Sequence, residues 1–207
     1  MGKTGGGRGT NQYAVRGVSQ VRQQDATVLS DLSNENRPLA LAVDSYTPPD
    51  VLDRLARDDD EEVRFWVAWN PNTSPETLAR LAEDESTQVR AAVAMAKNTS
   101  PETLTLLARD ESPWVRKEVV RHPRAPSDAL AGLAGDEHMG VRIGVAEHPH
   151  TSPETLAKLA EDWHIGVQQS VAKNPHTPRK AVLMLSTAYD HYTNIYAKSA
   201  LASRGGT

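Results

Sequence analysis

Val63, Val89, Val115, Val141 and Val167 stand 26 residues apart, and each opens nearly the same run of residues. A period kept over so many copies makes the chain a stack of short supersecondary units. None can bury its apolar face alone, so each must cover its neighbour. That architecture favours a binding scaffold over a catalyst.

A column occupied alike in every copy sits in the same environment in every copy. Leu52, Leu78, Leu104, Leu130 and Leu156 form one, Leu55, Leu81, Leu107, Leu133 and Leu159 a second, and Ala56, Ala82, Ala108, Ala134 and Ala160 a third. Leucine at i and i+3 with alanine at i+4 is one face of a helix, here termed B. Ser74-Pro75-Glu76, Ser100-Pro101-Glu102 and Ser152-Pro153-Glu154 mark its start with an N-cap hydroxyl, proline at the first helical position and a carboxylate at the positive end of the dipole. In Ala125-Pro126-Ser127 and Thr177-Pro178-Arg179 the proline moves by one, which predicts a softer register there. The second helix, A, carries Val63 and Val67 and their equivalents at i, i+4. Between B and A an aspartate recurs as Asp58, Asp84, Asp110, Asp136 and Asp162, placed to accept from the free amides that open helix A. Helix A stops at Asn70-Pro71, His122-Pro123, His148-Pro149 and Asn174-Pro175, since proline pushes its predecessor out of the helical region. Ala96-Lys97 replaces that pair once, and a less sharply defined helix end is predicted there.

The pattern V-R-x-x-V-A-x-N-P-x-T-x-P-E-x-L-x-x-L-A-x-D, carried best by Val63 to Asp84 and Val141 to Asp162, resembles the leucine-rich repeat variant family of bacterial repeats over about residues 37 to 185. The resemblance implies an all-α fold, a right-handed α-solenoid of about six 26-residue helical-pair repeats with HEAT-like stacking, one helix of each pair short and sometimes 3₁₀. It implies no agreed biochemical activity. Some members are associated with an amino-terminal cysteine cluster holding an iron–sulfur centre. This chain has no cysteine, so that part does not carry over, and no cofactor is expected. The division read from the pattern is a flexible, basic, glycine-rich arm over 1–36 that can hold a short helix, and repeats at 37–62, 63–88, 89–114, 115–140, 141–166 and 167–185. A capping helix and tail follow over 186–207, with Tyr189, Tyr192 and Tyr196 half buried on a helix running on from the last B helix.

No window approaches the roughly 18 apolar residues of a membrane span, and Met1 to Gly9 lacks the apolar core of a signal peptide. Zero cysteines rule out a disulfide-stapled secreted scaffold, so the cytoplasm is the expected location. Charge is uneven: residues 37–166 hold fourteen bases against twenty-three acids, with Asp58 to Glu62 the densest run, whereas the first 24 residues hold Lys3, Arg8, Arg16 and Arg22 and no acid. A basic, glycine-rich arm of this kind can lie along a phosphate backbone.

Arg64, Arg90, Arg116 and Arg142 form a ladder, one per repeat, ended by Gln168. Each follows a buried valine and lies six residues after an aspartate of the recurring column. Two readings follow: inter-repeat pairing of Arg with Asp, or a cationic stripe that binds a partner. Trp66 and Trp69 interrupt columns that other copies fill with small or charged residues, so they are either covered by the leading segment around Tyr13, Val15 and Val18 or open to a partner. Trp114 and Trp163 lie near the B-to-A turn as spacers. His122, His148, His150 and His176 are too widely spaced along the stack to converge on one metal ion, and His122 and His148 share a column with Asn70 and Asn174, which points to hydrogen bonding at the helix end. No nucleophile or paired-carboxylate pattern stands apart from the repeat, so no catalytic residue is assigned and an enzyme is not expected. The sequence therefore predicts a non-catalytic scaffold for another protein, with Trp66, Trp69 and the Arg64, Arg90, Arg116 and Arg142 ladder as candidate partner-binding residues. The alternative is a nucleic-acid-binding array that uses the arm (Lys3, Arg8, Arg16, Arg22) together with the ladder.

Overall fold

The computed structural model describes residues 37–187 and 190–204, and among these it holds thirteen α-helices and no strand. The B helices are α2 (Pro49–Leu55), α4 (Pro75–Leu81), α6 (Pro101–Leu107), α8 (Ser127–Leu133), α10 (Pro153–Leu159) and α12 (Arg179–Leu185). The A helices are α1 (Arg37–Val43), α3 (Glu61–Trp69), α5 (Thr87–Met95), α7 (Pro113–Arg121), α9 (Met139–Glu147) and α11 (Ile165–Lys173), followed by α13 (His191–Arg204). The short B helix is α-helical in every repeat, not 3₁₀. Neighbouring A helices pack directly on one another along the stack, whereas the B helices touch chiefly the A layer. The leucine, valine and alanine columns merge into one continuous core from Ala42 to Ala197. The fold is an all-α repeat solenoid.

Local chemistry sets the helix ends. The Ser74, Ser100 and Ser152 hydroxyls accept from the amides of Thr77, Thr103 and Thr155, three residues into their helices. Where proline takes the N-cap position, at Pro126 and Pro178, that bond is lost, yet α8 and α12 begin in the same column as the others. The softer register expected there is absent, because the buried apolar pair, Leu130 and Leu133 in α8 and Val182 and Leu185 in α12, fixes the helix whichever residue opens it. The end of α5 is likewise as sharp as its equivalents: Ala96 is extended and its amide donates to the Val93 carbonyl. What holds these ends is a threonine column that the sequence reading passed over. Thr47, Thr73, Thr99, Thr151 and Thr177 are buried, and each hydroxyl donates to the carbonyl six residues back. Thr99 therefore pins the turn that Ala96 does not.

The carboxyl-terminal cap differs from expectation. The last B helix does not run on but ends at Leu185, and α13 starts separately, capped by Asp190, whose Oδ2 accepts from the Thr193 amide at 2.8 Å. Thr193 and Ala197 are fully buried in the two valine columns of helix A, so α13 is a further A helix laid against α11 and α12. Tyr192 is exposed, Tyr196 is partly buried with the Lys173 ammonium 4.2 Å from its ring centroid, and Tyr189 lies outside the described residues.

Candidate interaction surface

Two rows of side chains run along the array, and each was a candidate for binding. The arginine row is internal. Arg64, Arg90, Arg116 and Arg142 are only 5–9 % exposed. In each, Nε and Nη2 donate to the two carboxylate oxygens of the aspartate in the following repeat: Arg64 to Asp84 at 2.7 and 3.0 Å, Arg90 to Asp110 at 2.6 and 3.1 Å, Arg116 to Asp136 at 2.6 and 3.0 Å, and Arg142 to Asp162 at 2.6 and 3.2 Å. Nη1 donates to the carbonyls five and six residues back, as Arg64 does to Asp58 and Asp59. One guanidinium thus ties its own B-to-A turn to the next. The aspartates hold the turns as well, each Oδ1 accepting from the amide two residues on. Hydrogen bonding to the carboxylate raises the proton affinity of Arg64, Arg90 and Arg116 above its ordinary value, despite opposing desolvation.

With their donors engaged and their side chains buried, the four arginines are rungs that join repeats, not the solvent-facing cationic stripe that partner or phosphate binding needs. The ladder half of the nucleic-acid alternative is corrected accordingly. Its other half, Lys3, Arg8, Arg16 and Arg22, lies outside the described residues. Trp163 is more than a spacer: it occupies the column of Glu85, Glu111 and Glu137 and lays its ring over the last rung, 5.3 Å from the Arg142 guanidinium carbon. At the opposite edge, Asn70, His122, His148 and Asn174 form a second ladder. Their side-chain nitrogens meet backbone carbonyls of the preceding repeat, as His148 Nε2 does at His122 O (3.1 Å), and their other polar atoms accept from the amide two residues on. This is the hydrogen-bonding role read from the shared column. Burial holds both histidines below the usual imidazole pKa.

The second row does face solvent. Trp66 and Trp69 lie on the outer side of α3 at 37 % and 42 % exposure, with Phe65 half-buried between them and 5.5 and 6.4 Å from their ring centroids. The column of Trp69 is Val43 one repeat earlier and Met95 one repeat later, 52 % and 41 % exposed. Three consecutive A helices therefore present one apolar run. The same column then turns to Arg121, Glu147 and Lys173. Val43 and Met95 were missed as surface residues, although the 26-residue arithmetic places them beside Trp69. Tyr13, Val15 and Val18, read as an alternative cover for the tryptophans, lie outside the described residues.

Among curated proteins none matches the sequence. Family models described as the leucine-rich repeat variant domain and the leucine-rich repeat variant match residues 36–97, and 113–138 and 140–162, respectively. Together they span more than half of the chain. A solved structure described as a leucine-rich repeat variant with a novel repetitive structural motif is similar at 28 % identity and a TM-score of 0.67, over 84 % of this chain and 70 % of that one. The YibA protein of Escherichia coli is similar in fold, at 16 % identity and a TM-score of 0.53, over 83 % of this chain and 76 % of that one. The repeat that organises the rungs, the turns and the exposed apolar run is the one these models describe, and the chain belongs to the leucine-rich repeat variant family.

Proposed function

We propose that this solenoid is a non-catalytic scaffold for another protein, and that the partner docks on the apolar run of Val43, Trp66, Trp69 and Met95. One observation carries the reading: a column that later repeats fill with charge stays apolar and exposed over three adjacent helices, centred on Trp69, with Trp66 exposed beside it on the same helix. Contiguous exposed apolar surface marks interaction sites, and tryptophan dominates the energetics of interfaces out of proportion to its frequency. A cytoplasmic setting suits a cysteine-free array.

The repeat itself supplies the mildest test. Trp66→Ala and Trp69→Arg place on α3 residues that sister helices already hold at Ala92 and Arg121, so the fold should tolerate them. The double variant should lose nuclease-resistant capture of its protein partner while its melting temperature changes little. A large fall in melting temperature would make the tryptophans core, and capture abolished by nuclease would transfer the function to nucleic acid and the arm.

A further inference from the structure

Among the described residues the arginine ladder has one unfilled position. Each rung couples an arginine of one repeat to an aspartate of the next, and the aspartate column begins at Asp58. The arginine that would serve Asp58 stands 26 residues before Arg64, where the chain has Pro38. Asp58 nevertheless holds the geometry of the filled positions. Its Oδ1 accepts from the Asp60 amide at 3.0 Å, as Asp84 does from Ser86 at 2.9 Å and Asp110 does from Ser112 at 2.8 Å. In the filled rungs the other oxygen receives the arginine Nε, and in Asp58 that oxygen accepts no hydrogen bond among the described residues.

The surroundings of the position repeat those of the filled rungs. At three of the filled rungs a neighbouring exposed carboxylate joins the guanidinium: Glu85 lies 3.6 Å from Arg64, Glu111 3.3 Å from Arg90 and Glu137 3.6 Å from Arg116. Asp59 occupies that column beside Asp58. Asp58 and Asp59 line a shallow cleft, open to solvent, with Arg57, Arg64, Asp84 and Glu85. Of its two cations, Arg64 is committed to Asp84 at 2.7 Å, and Arg57 makes an exposed pair with Asp53 at 3.5 Å. The far end of the ladder offers no such place: Gln168 replaces arginine and, among the described residues, its side chain donates to the Asp162 carbonyl, and the aspartate column ends in Ala188.

We infer that the Asp58 cleft is a guanidinium site, which receives the side chain of an arginine from outside the described fold and completes the ladder at its amino-terminal end. The inference rests on four occupied copies of the same aspartate in the same chain, not on the number of acids nearby, and it is independent of the tryptophan surface. A planar fork that donates two parallel bonds fits the carboxylate as Nε and Nη2 do in each rung, whereas an ammonium cannot reproduce that pair. The arginine comes either from a partner protein or from the leading segment, which holds Arg8, Arg16 and Arg22.

Amide chemical shifts of the full chain, titrated at low salt with N-acetyl-arginine methylamide and with its lysine counterpart, test the site. The arginine probe should shift the Asp58 to Asp60 amides saturably, and the lysine probe should bind about tenfold more weakly. Asp58→Asn keeps the turn acceptor and removes the charge; Pro38→Arg fills the rung from within. Both should abolish the shift, the first without gain in stability and the second with an increase. If the wild-type chain is silent but a chain carrying Arg8→Gln, Arg16→Gln and Arg22→Gln responds, the site holds the chain's own arginine. Silence in both, equal binding of the lysine probe, or binding that survives Asp58→Asn overturns the inference.

Discussion

Gly144 and Val120 make a prediction that opposes helix propensity. Gly144 lies inside α9 with ordinary helical backbone, so alanine there should gain about 0.5–1 kcal/mol from propensity. Its environment reverses the sign. A Cβ at 144 would lie 2.3 Å from Val120 Cγ2 and 3.2 Å from Val120 Cβ. Val120 is itself the exception in its column, which holds Ala68, Ala94, Ala146 and Ala172 elsewhere, and at 2 % exposure with one strongly preferred helical rotamer it cannot turn aside. Overpacking of this kind costs about 1–3 kcal/mol, so Gly144→Ala should destabilise by about 1 kcal/mol net. Val120→Ala removes two buried methyls and should cost about 1.5 kcal/mol by area alone. In that background, however, Gly144→Ala should become stabilising, because the pair is then the Ala68 and Ala92 pair of an earlier repeat. The double-mutant cycle should yield a coupling of about 2 kcal/mol. Gly132, with no atom within 4 Å of a built Cβ, is the control, and Gly132→Ala should stabilise. Urea unfolding of the five chains, with the denaturant dependence required to stay constant, gives the numbers. Additive effects, or a stabilising Gly144→Ala in the wild-type background, would refute the packing argument.

Three further outcomes follow from the ladders and the core. His122 and His148 have folded pKa values depressed by burial, with Arg124 and His150 the charged neighbours that reinforce it, so their contribution is present above about pH 6.5 and is lost as pH falls through the folded values. His122→Asn with His148→Asn, the residue the column already uses at Asn70 and Asn174, should flatten the fall in melting temperature on acidification through that range; an unchanged slope counts against the buried clasp. Arg90→Ala leaves Asp110 buried without its partner and should cost about 3–5 kcal/mol by urea unfolding, whereas Arg57→Ala, on an exposed pair, should cost less than about 1 kcal/mol. Leu107→Ala, at 1 % exposure, should cost about 2–5 kcal/mol, and a loss under 1 kcal/mol would place that column outside the core.

The sequence made the period legible, and with it the helices, their core faces and most of their ends, because a column repeated in every copy averages away the noise of any one copy. It did not reveal which repeats a side chain joins. An aspartate six residues before each arginine and one twenty residues after it belong to the same column one repeat apart, so no pattern in the chain separates the two partners. Geometry does: the earlier aspartate offers its backbone carbonyl and the later one its carboxylate. The same blindness to neighbours in the stack hid the last A helix, whose valines became Thr193 and Ala197, and the Val120 and Gly144 exchange, which is visible only when two columns are read across adjacent repeats. Exposure followed a different logic. Trp66 and Trp69 announced themselves by breaking their columns, but Val43 and Met95 became part of the surface only through their place beside Trp69, and Asp58 became an open position only because Pro38 cannot supply the guanidinium that four later repeats provide. In an array the departures from the repeat carry the individual character of the protein, and each has meaning only against the neighbour it contacts.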